Sequence, residues 1–211
     1  MAIAVRSETT GTGNGNASDQ VTVLKPATIV NGDYLVVIMG AGDDAPAVAA
    51  PSGWTQGDQS GNATGNDRQI GIFYKFIADT TAEPANYTFT LGSADNGAWW
   101  IGALSGIDSE NPEDELMSGN SVLVSNSATP TAPQITTATT NAFVLAGWAT
   151  NFDATHTMPG GSWATRANNV ANTTVAVNVA SQTFANAGAT GGVALSGGTS
   201  PDYKLMLVKP G

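Results

Sequence analysis

The sequence predicts an all-β fold, an antiparallel β-sandwich of about 8–10 strands. Three observations lead there. Short apolar or alternating runs rich in Val, Ile, Phe, Tyr and Thr recur along the 211 residues, each bounded by Gly, Asn, Asp or Pro, which is the pattern of strands and turns. Charged residues make up only 11% of the chain, too few for long surface helices, and no window shows a capped amphipathic helix of roughly ten residues. The chain also aligns with itself. Placing Trp54 on Trp163, an offset of 109, sets Tyr34-Leu35-Val36-Val37 on Phe143-Val144-Leu145-Ala146.

The elements follow in order. "AIAVRS" and "QVTVLK" read as strands flanking Ser7–Gln20, a Gly/Ser/Thr/Asn-rich stretch that reads either as an arm ordered on assembly or as a loop. Strands are then expected at 33–40, 69–77, 86–91 and 98–106, and again at 121–125, 142–150, 173–184, 192–197 and 203–209. Period two marks them, as in Val175, Val177 and Val179 against Thr174, Ala176 and Asn178. Between the two sets, "SGIDSENPEDELMSGN" is the best place for a helical turn, with Asn111 as cap and Pro112 in the first position; a loop fits it as well.

Matching the halves pairs "QIGIFYKFI" with "TTVAVNVAS", "YTFTLGS" with "GVALSGG" and "AWWIGALSG" with "YKLMLVKPG". The expected organisation is one domain over 1–211: an N-terminal strand region and arm at 1–29, a first half at 30–108, a connecting segment at 109–141 and a second half at 142–211. A four-strand half cannot close a core alone, so the two are expected to pack on each other. Trp54 and Trp163, each following a Pro/Gly turn, are expected to enter that core with Tyr74 and Phe89, their indole N–H groups reaching loop carbonyls.

The totals exclude several functions. With 17 acidic and seven basic residues the net charge is −10, which leaves no basic footprint for nucleic acid or anionic lipid. No cysteine is present, so thiolate metal sites and disulfides are absent. The N-terminal residues lack the apolar core of a secretory signal, and no stretch nears the roughly 18 apolar residues of a membrane span. A soluble chain is expected.

The succession Gly32-Asp33, Pro51/Gly53/Trp54, Phe73-Tyr74-Lys75, Glu83-Pro84/Tyr87-Thr88-Phe89 and Leu104-Ser105-Gly106-Ile107-Asp108, covering with its second copy residues 30–209, resembles a group of tailed-bacteriophage and prophage virion proteins. The resemblance implies a jelly-roll-like β-sandwich and a structural part in the virion. That part is either a head decoration (cement) protein, a homotrimer on the major capsid protein at the outer capsid surface and made in the bacterial cytoplasm, or a tail or fibre module binding host glycans. The second half departs from the pattern, with Asn141-Ala142 in place of Gly-Asp and Asn178 where the first half is aligned with an aromatic. The resemblance carries no catalytic motif.

Chemistry candidates are few. The sole histidine, His156, has Asp153 and Ser162 nearby in sequence, yet no G-x-S-x-G elbow accompanies them, and a solvated loop histidine is expected. The acidic residues Asp108, Glu110, Glu113, Asp114 and Glu115, and the pair Asp43-Asp44, follow no cation-loop spacing. No enzyme, cofactor or metal site is therefore expected. Trp99, Trp100 and Trp148 remain as interface candidates, either as sugar-stacking faces or as subunit contacts. Because Trp99 and Trp100 point to opposite faces of one strand, at least one of them is expected in the core.

Overall fold

The computed structural model describes residues 3–14, 19–42, 47–60, 68–92, 95–107, 122–124, 129–151, 155–196 and 203–208. They form an all-β protein of sixteen strands with one 3-10 turn, Thr80–Ala82. The strands are β1 Ala4–Asn14, β2 Gln20–Leu24, β3 Tyr34–Ala41, β4 Thr55–Ser60, β5 Gln69–Phe76, β6 Asn86–Thr90, β7 Asn96–Ser105 and β8 Val122–Val124. They continue with β9 Thr131–Ala132, β10 Thr136–Thr137, β11 Ala142–Asn151, β12 Ala164–Ala171, β13 Val175–Phe184, β14 Gly188–Ala189, β15 Val193–Ala194 and β16 Tyr203–Val208. The helical turn expected near Pro112 lies outside the described residues.

Two five-stranded antiparallel sheets dominate, in the orders β1-β7-β3-β5-β4 and β12-β13-β11-β16-β8. They pack face to face through Val36, Ile38 and Trp100 from one side and Leu145, Val177 and Val179 from the other. The approach is close enough to require glycine. A Cβ on Gly40 would lie 2.8 Å from Val177, and one on Gly147 would lie 2.9 Å from Ile38.

Each large sheet also has a cover on its outer face. The β2-β6 pair lays Val21, Val23 and Phe89 over Leu35, Val37, Met39 and Trp99, and the β9-β15 pair lays Ala132 and Val193 over Val144, Ala146 and Trp148. Each half thus has two layers and its own core, where the sequence suggests a four-strand half that cannot close one. Double coverage explains the burial patterns. The cover strand β2 alternates between exposed and buried, whereas β3 is buried at all eight positions, because a strand with both faces covered needs an unbroken apolar run.

The internal repeat holds at the level of register. Val36 pairs with Tyr74 and Tyr74 with Thr55; Leu145 pairs with Ser181 and Ser181 with Ala164. Both edge strands break register at the same place, between Gln56 and Asp58 and between Thr165 and Ala167. Isolated bridges also match, Ala49 with Thr90 and Thr157 with Ser196. This register corrects the sequence alignment of β5 with β13 by three residues. Asn178, opposite Trp148, takes the place of Gly71, opposite Met39, and not that of an aromatic.

Most of the expected N-terminal arm is a strand. Ser7–Asn14 belongs to β1 and pairs along β7 from Ala103 to Asn96, since an extended Gly/Thr-rich segment gains a full ladder there that it lacks in isolation. Where β1 crosses Trp99, Gly11 is required, because a Cβ would enter the indole ring.

Candidate functional site

The turn residues build the start of each half. Gly32 has φ +93° and Asn141, at the equivalent position, has φ +59°; asparagine is the side chain that best tolerates this left-handed region after glycine. The residue that follows differs. Asp33 is buried and takes a two-pronged contact from Arg6 of β1, Nε at 2.8 Å and Nη2 at 3.1 Å, while its Oδ2 accepts the Val30 N–H at 2.9 Å. The Asp33 contact raises the Arg6 pKa, its hydrogen bond first and its charge adding to it. Ala142 has no such capacity, so this clamp belongs to the first half alone.

Glu83 is a second hub. Its carboxylate accepts from Lys75 Nζ and from the Tyr87 hydroxyl, each at 2.8 Å, and its carbonyl accepts from Lys25 Nζ at 3.2 Å. Burial first, and the Glu83 carboxylate next, push the Tyr87 phenol well above the usual tyrosine range. The Tyr87 ring meets the edge of Trp54 at 5.0 Å between centroids. The Gly-Asp and Glu-Pro-x-x-Tyr motifs are therefore joints of the fold, and Arg6 and Lys25, which complete them, carried no motif that would have singled them out.

The tryptophans are placed as follows. Trp54 is half-buried against Tyr87 and Phe89, and Trp163 is half-buried against Phe184 at 6.1 Å. Phe89 is fully buried and Tyr74 packs at the margin of the inter-sheet core. Among the described residues the Trp54 indole N–H finds no partner, contrary to the expected carbonyl bond. Trp99 and Trp100 do face opposite sides of β7, but both are interior, at 2% and 0% exposure, as is Trp148 at 0%. Trp100 gives its N–H to Glu8 Oε2 at 2.9 Å. None of the three is available as a stacking face or subunit contact, because the cover strands and the opposite sheet enclose both faces of their sheets.

His156 is also a correction. It is buried at 2% exposure, not solvated. The matched bridges next to it show that it holds the place of Val48. Asn169 Nδ2 donates to its carbonyl at 3.5 Å, and nearby Asn178 accepts the Asn169 N–H at 2.8 Å while its own Nδ2 lies 3.5 Å from Thr150 Oγ1. Ser162 lies exposed in the turn before Trp163, away from such buried company. Asp153, Asp43-Asp44 and the acidic stretch Asp108–Glu115 lie outside the described residues. Among the described residues no three His, Cys, Asp or Glu side chains gather as metal ligands, and no helix is long and apolar enough to cross a membrane.

An open cleft of ≈ 430 Å³ is lined by Arg6, Asn31, Gly32, Asp33, Ser105, Gly106 and Ile107. It is where the Gly-Asp turn meets the end of β7. Its cation and carboxylate are paired with each other, and the Ser105 hydroxyl donates to Ala4 O at 3.3 Å, so its polar groups hold the fold together.

No family model, curated protein or solved structure matches the chain. Among the described residues, the polar clusters around Asp33 and Glu83 act as joints of the fold.

Proposed function

We propose that the chain is a structural component of a bacteriophage virion, a head decoration (cement) protein that sits as a homotrimer on the outer face of the major capsid protein and bridges neighbouring capsomers. The observation that carries this reading is the strand order of each half. In the first, β1-β7-β3-β5 faces β2-β6, to which Ala49 adds a bridge. In the second, β8-β16-β11-β13 faces β9-β15, to which Thr157-Ser196 adds the same bridge. We read each half as jelly-roll-like, an architecture common in viral coats and lectins. Architecture alone does not assign function. The phage-like motif series adds to it, and so does the commitment of the motif side chains to structural joints. A protein that binds only the assembled shell stabilises that shell by mass action.

Trp99, Trp100 and Trp148, the sugar-stacking candidates of the tail or fibre alternative, are buried, which favours the decoration reading over it. The test is quantitative mass spectrometry of virions from the source phage. A copy number near that of the major capsid protein is expected; a trace ratio typical of tail parts, or absence, overturns the reading.

A further inference from the structure

We propose that the outer edge of β1 pairs with the same strand of a second copy, the two strands running antiparallel about a two-fold axis near Gly11. The contact does not rest on the virion reading. An edge strand presents unpaired N–H and C=O groups, and folded proteins blunt such edges with short strands, bulges, charges or proline. Three of the four edges of the large sheets are blunted in this way: β4 breaks register between Gln56 and Asp58, β12 breaks it twice, and β8 has three residues. The fourth is not. β1 has eleven residues, its one register break lies near its start, between Val5 and Ser7, and from Ser7 to Asn14 its ladder with β7 is unbroken. Its counterpart in the strand order of the second half is the short β8, so the first half keeps a long edge where the second does not. Residues 9–14 contain no charge and no proline, and among the described residues β7 is their only strand partner.

The side chains of β1 are engaged within the chain or are small. Arg6 holds Asp33, the Ser7 hydroxyl donates to Thr28 O, and Glu8 accepts the Trp100 N–H at 2.9 Å and faces Arg166 at 3.6 Å. Past Glu8 the strand offers its backbone, with Thr10 and Thr12 exposed beside it. That pattern selects the occupant. A foreign strand is recognised at an edge through pockets for its alternate side chains, and residues 9–14, with glycine at 11 and 13, supply little to shape one. An antiparallel copy centred on Gly11 sets Thr10 against Thr12 on both sides of the axis, a favourable cross-strand pair, and Glu8 against the neutral Asn14. Glu8 is the only acid of β1. The two Glu8 residues then stand six positions apart along the seam, about 20 Å, beyond the screening length of about 8 Å. In the virion reading such a two-fold contact lies between trimers and not within one.

The experiment is light scattering on the full chain, joined to hydrogen exchange read amide by amide along β1. The wild type is expected at an even multiple of 21.3 kDa, with successive amides of residues 9–13 all protected. The variant is Thr10→Lys/Thr12→Lys, on two exposed side chains, which gathers two lysines from each copy at the axis. Its mass is expected to halve with an unchanged far-ultraviolet spectrum, and alternate β1 amides, those directed away from β7, to lose protection. A wild type of single-chain mass or of an odd number of chains overturns the proposal, as does a variant that keeps the wild-type mass. Should the variant fail to fold, the wild type decides: an even mass with protection throughout supports the contact, and fast exchange at alternate amides overturns it. A single-chain wild type whose β1 amides gain protection on added purified heads also overturns it, by assigning the edge to the capsid. Virion copy number is measured separately, so failure of the coat reading and failure of this contact are distinguishable.

Discussion

Asp33 shows how one residue separates two otherwise matching halves. Replacing it with Ala, the residue the second half already carries at 142, removes the acceptor of both the Arg6 guanidinium and the Val30 N–H, and stability should fall with the loss of these hydrogen bonds. Urea unfolding should show the midpoint falling accordingly; an unchanged midpoint would mean that the clamp contributes nothing net. Tyr87 predicts the alkaline limb of stability. Its phenol is raised by burial and by Glu83, so as pH rises past about 10 the unfolded tyrosine ionises while the folded one does not, and stability falls from that point upward. Tyr87→Phe should flatten this decline and, by removing one hydrogen bond, cost about 1 kcal/mol at neutral pH. At the acid end, Asp79 is held below its usual range by the Thr81 hydroxyl first and the Thr81 N–H next. Its contribution is present above the ordinary carboxylate range and fades as pH drops through the lowered value, which a nuclear magnetic resonance titration of Asp79 will show.

At the scale of elements, the entry turns and the first strand carry the sharpest constraints. Gly32 and Asn141 both occupy the left-handed region, so Gly32→Val should cost about 1–2 kcal/mol, whereas Asn141→Gly should leave stability near the wild type. A greater loss from Asn141→Gly than from Gly32→Val would contradict the equivalence of the two turns. Gly11→Val places a side chain where the Trp99 ring lies and must push either β1 or the indole aside, with a loss of about 1–3 kcal/mol and a change in tryptophan fluorescence. These turns were legible, since Gly-Asp and Asn-Ala precede apolar runs at one spacing. The continuation of β1 through Ser7–Asn14 was not, because its Gly/Thr composition has no local preference strong enough to announce a strand, and only the ladder with β7 makes it one.

For the whole molecule, the inter-sheet core decides whether the halves behave as one unit. Ile38 meets Gly147, and Ala149 meets Gly40, across the interface, with no space for a larger residue. Gly147→Val should lower stability by about 1–3 kcal/mol through overpacking. Leu145→Ala, a cavity in the same core, should cost about 2–5 kcal/mol. With the core shared, denaturation of the wild type is expected as one transition followed equally by fluorescence and circular dichroism; two resolved transitions would show that the halves unfold independently.

The sequence by itself determined the all-β class, most strand positions and the existence of a repeat, because each of these depends on side-chain period and on the turn residues that bound the strands. Tertiary structure alone decided that both large sheets are covered on both faces. That single fact moved Trp99, Trp100 and Trp148 from candidate contacts into the core. It also placed His156 in a buried position that the other half fills with Val48, and set the repeat register three residues from its best alignment along β13. The physical reason is range. Burial of a side chain depends on which distant segment lies over it, and the strands β2 and β9 that supply the covers are separated from the residues they bury by connections that local pattern does not constrain.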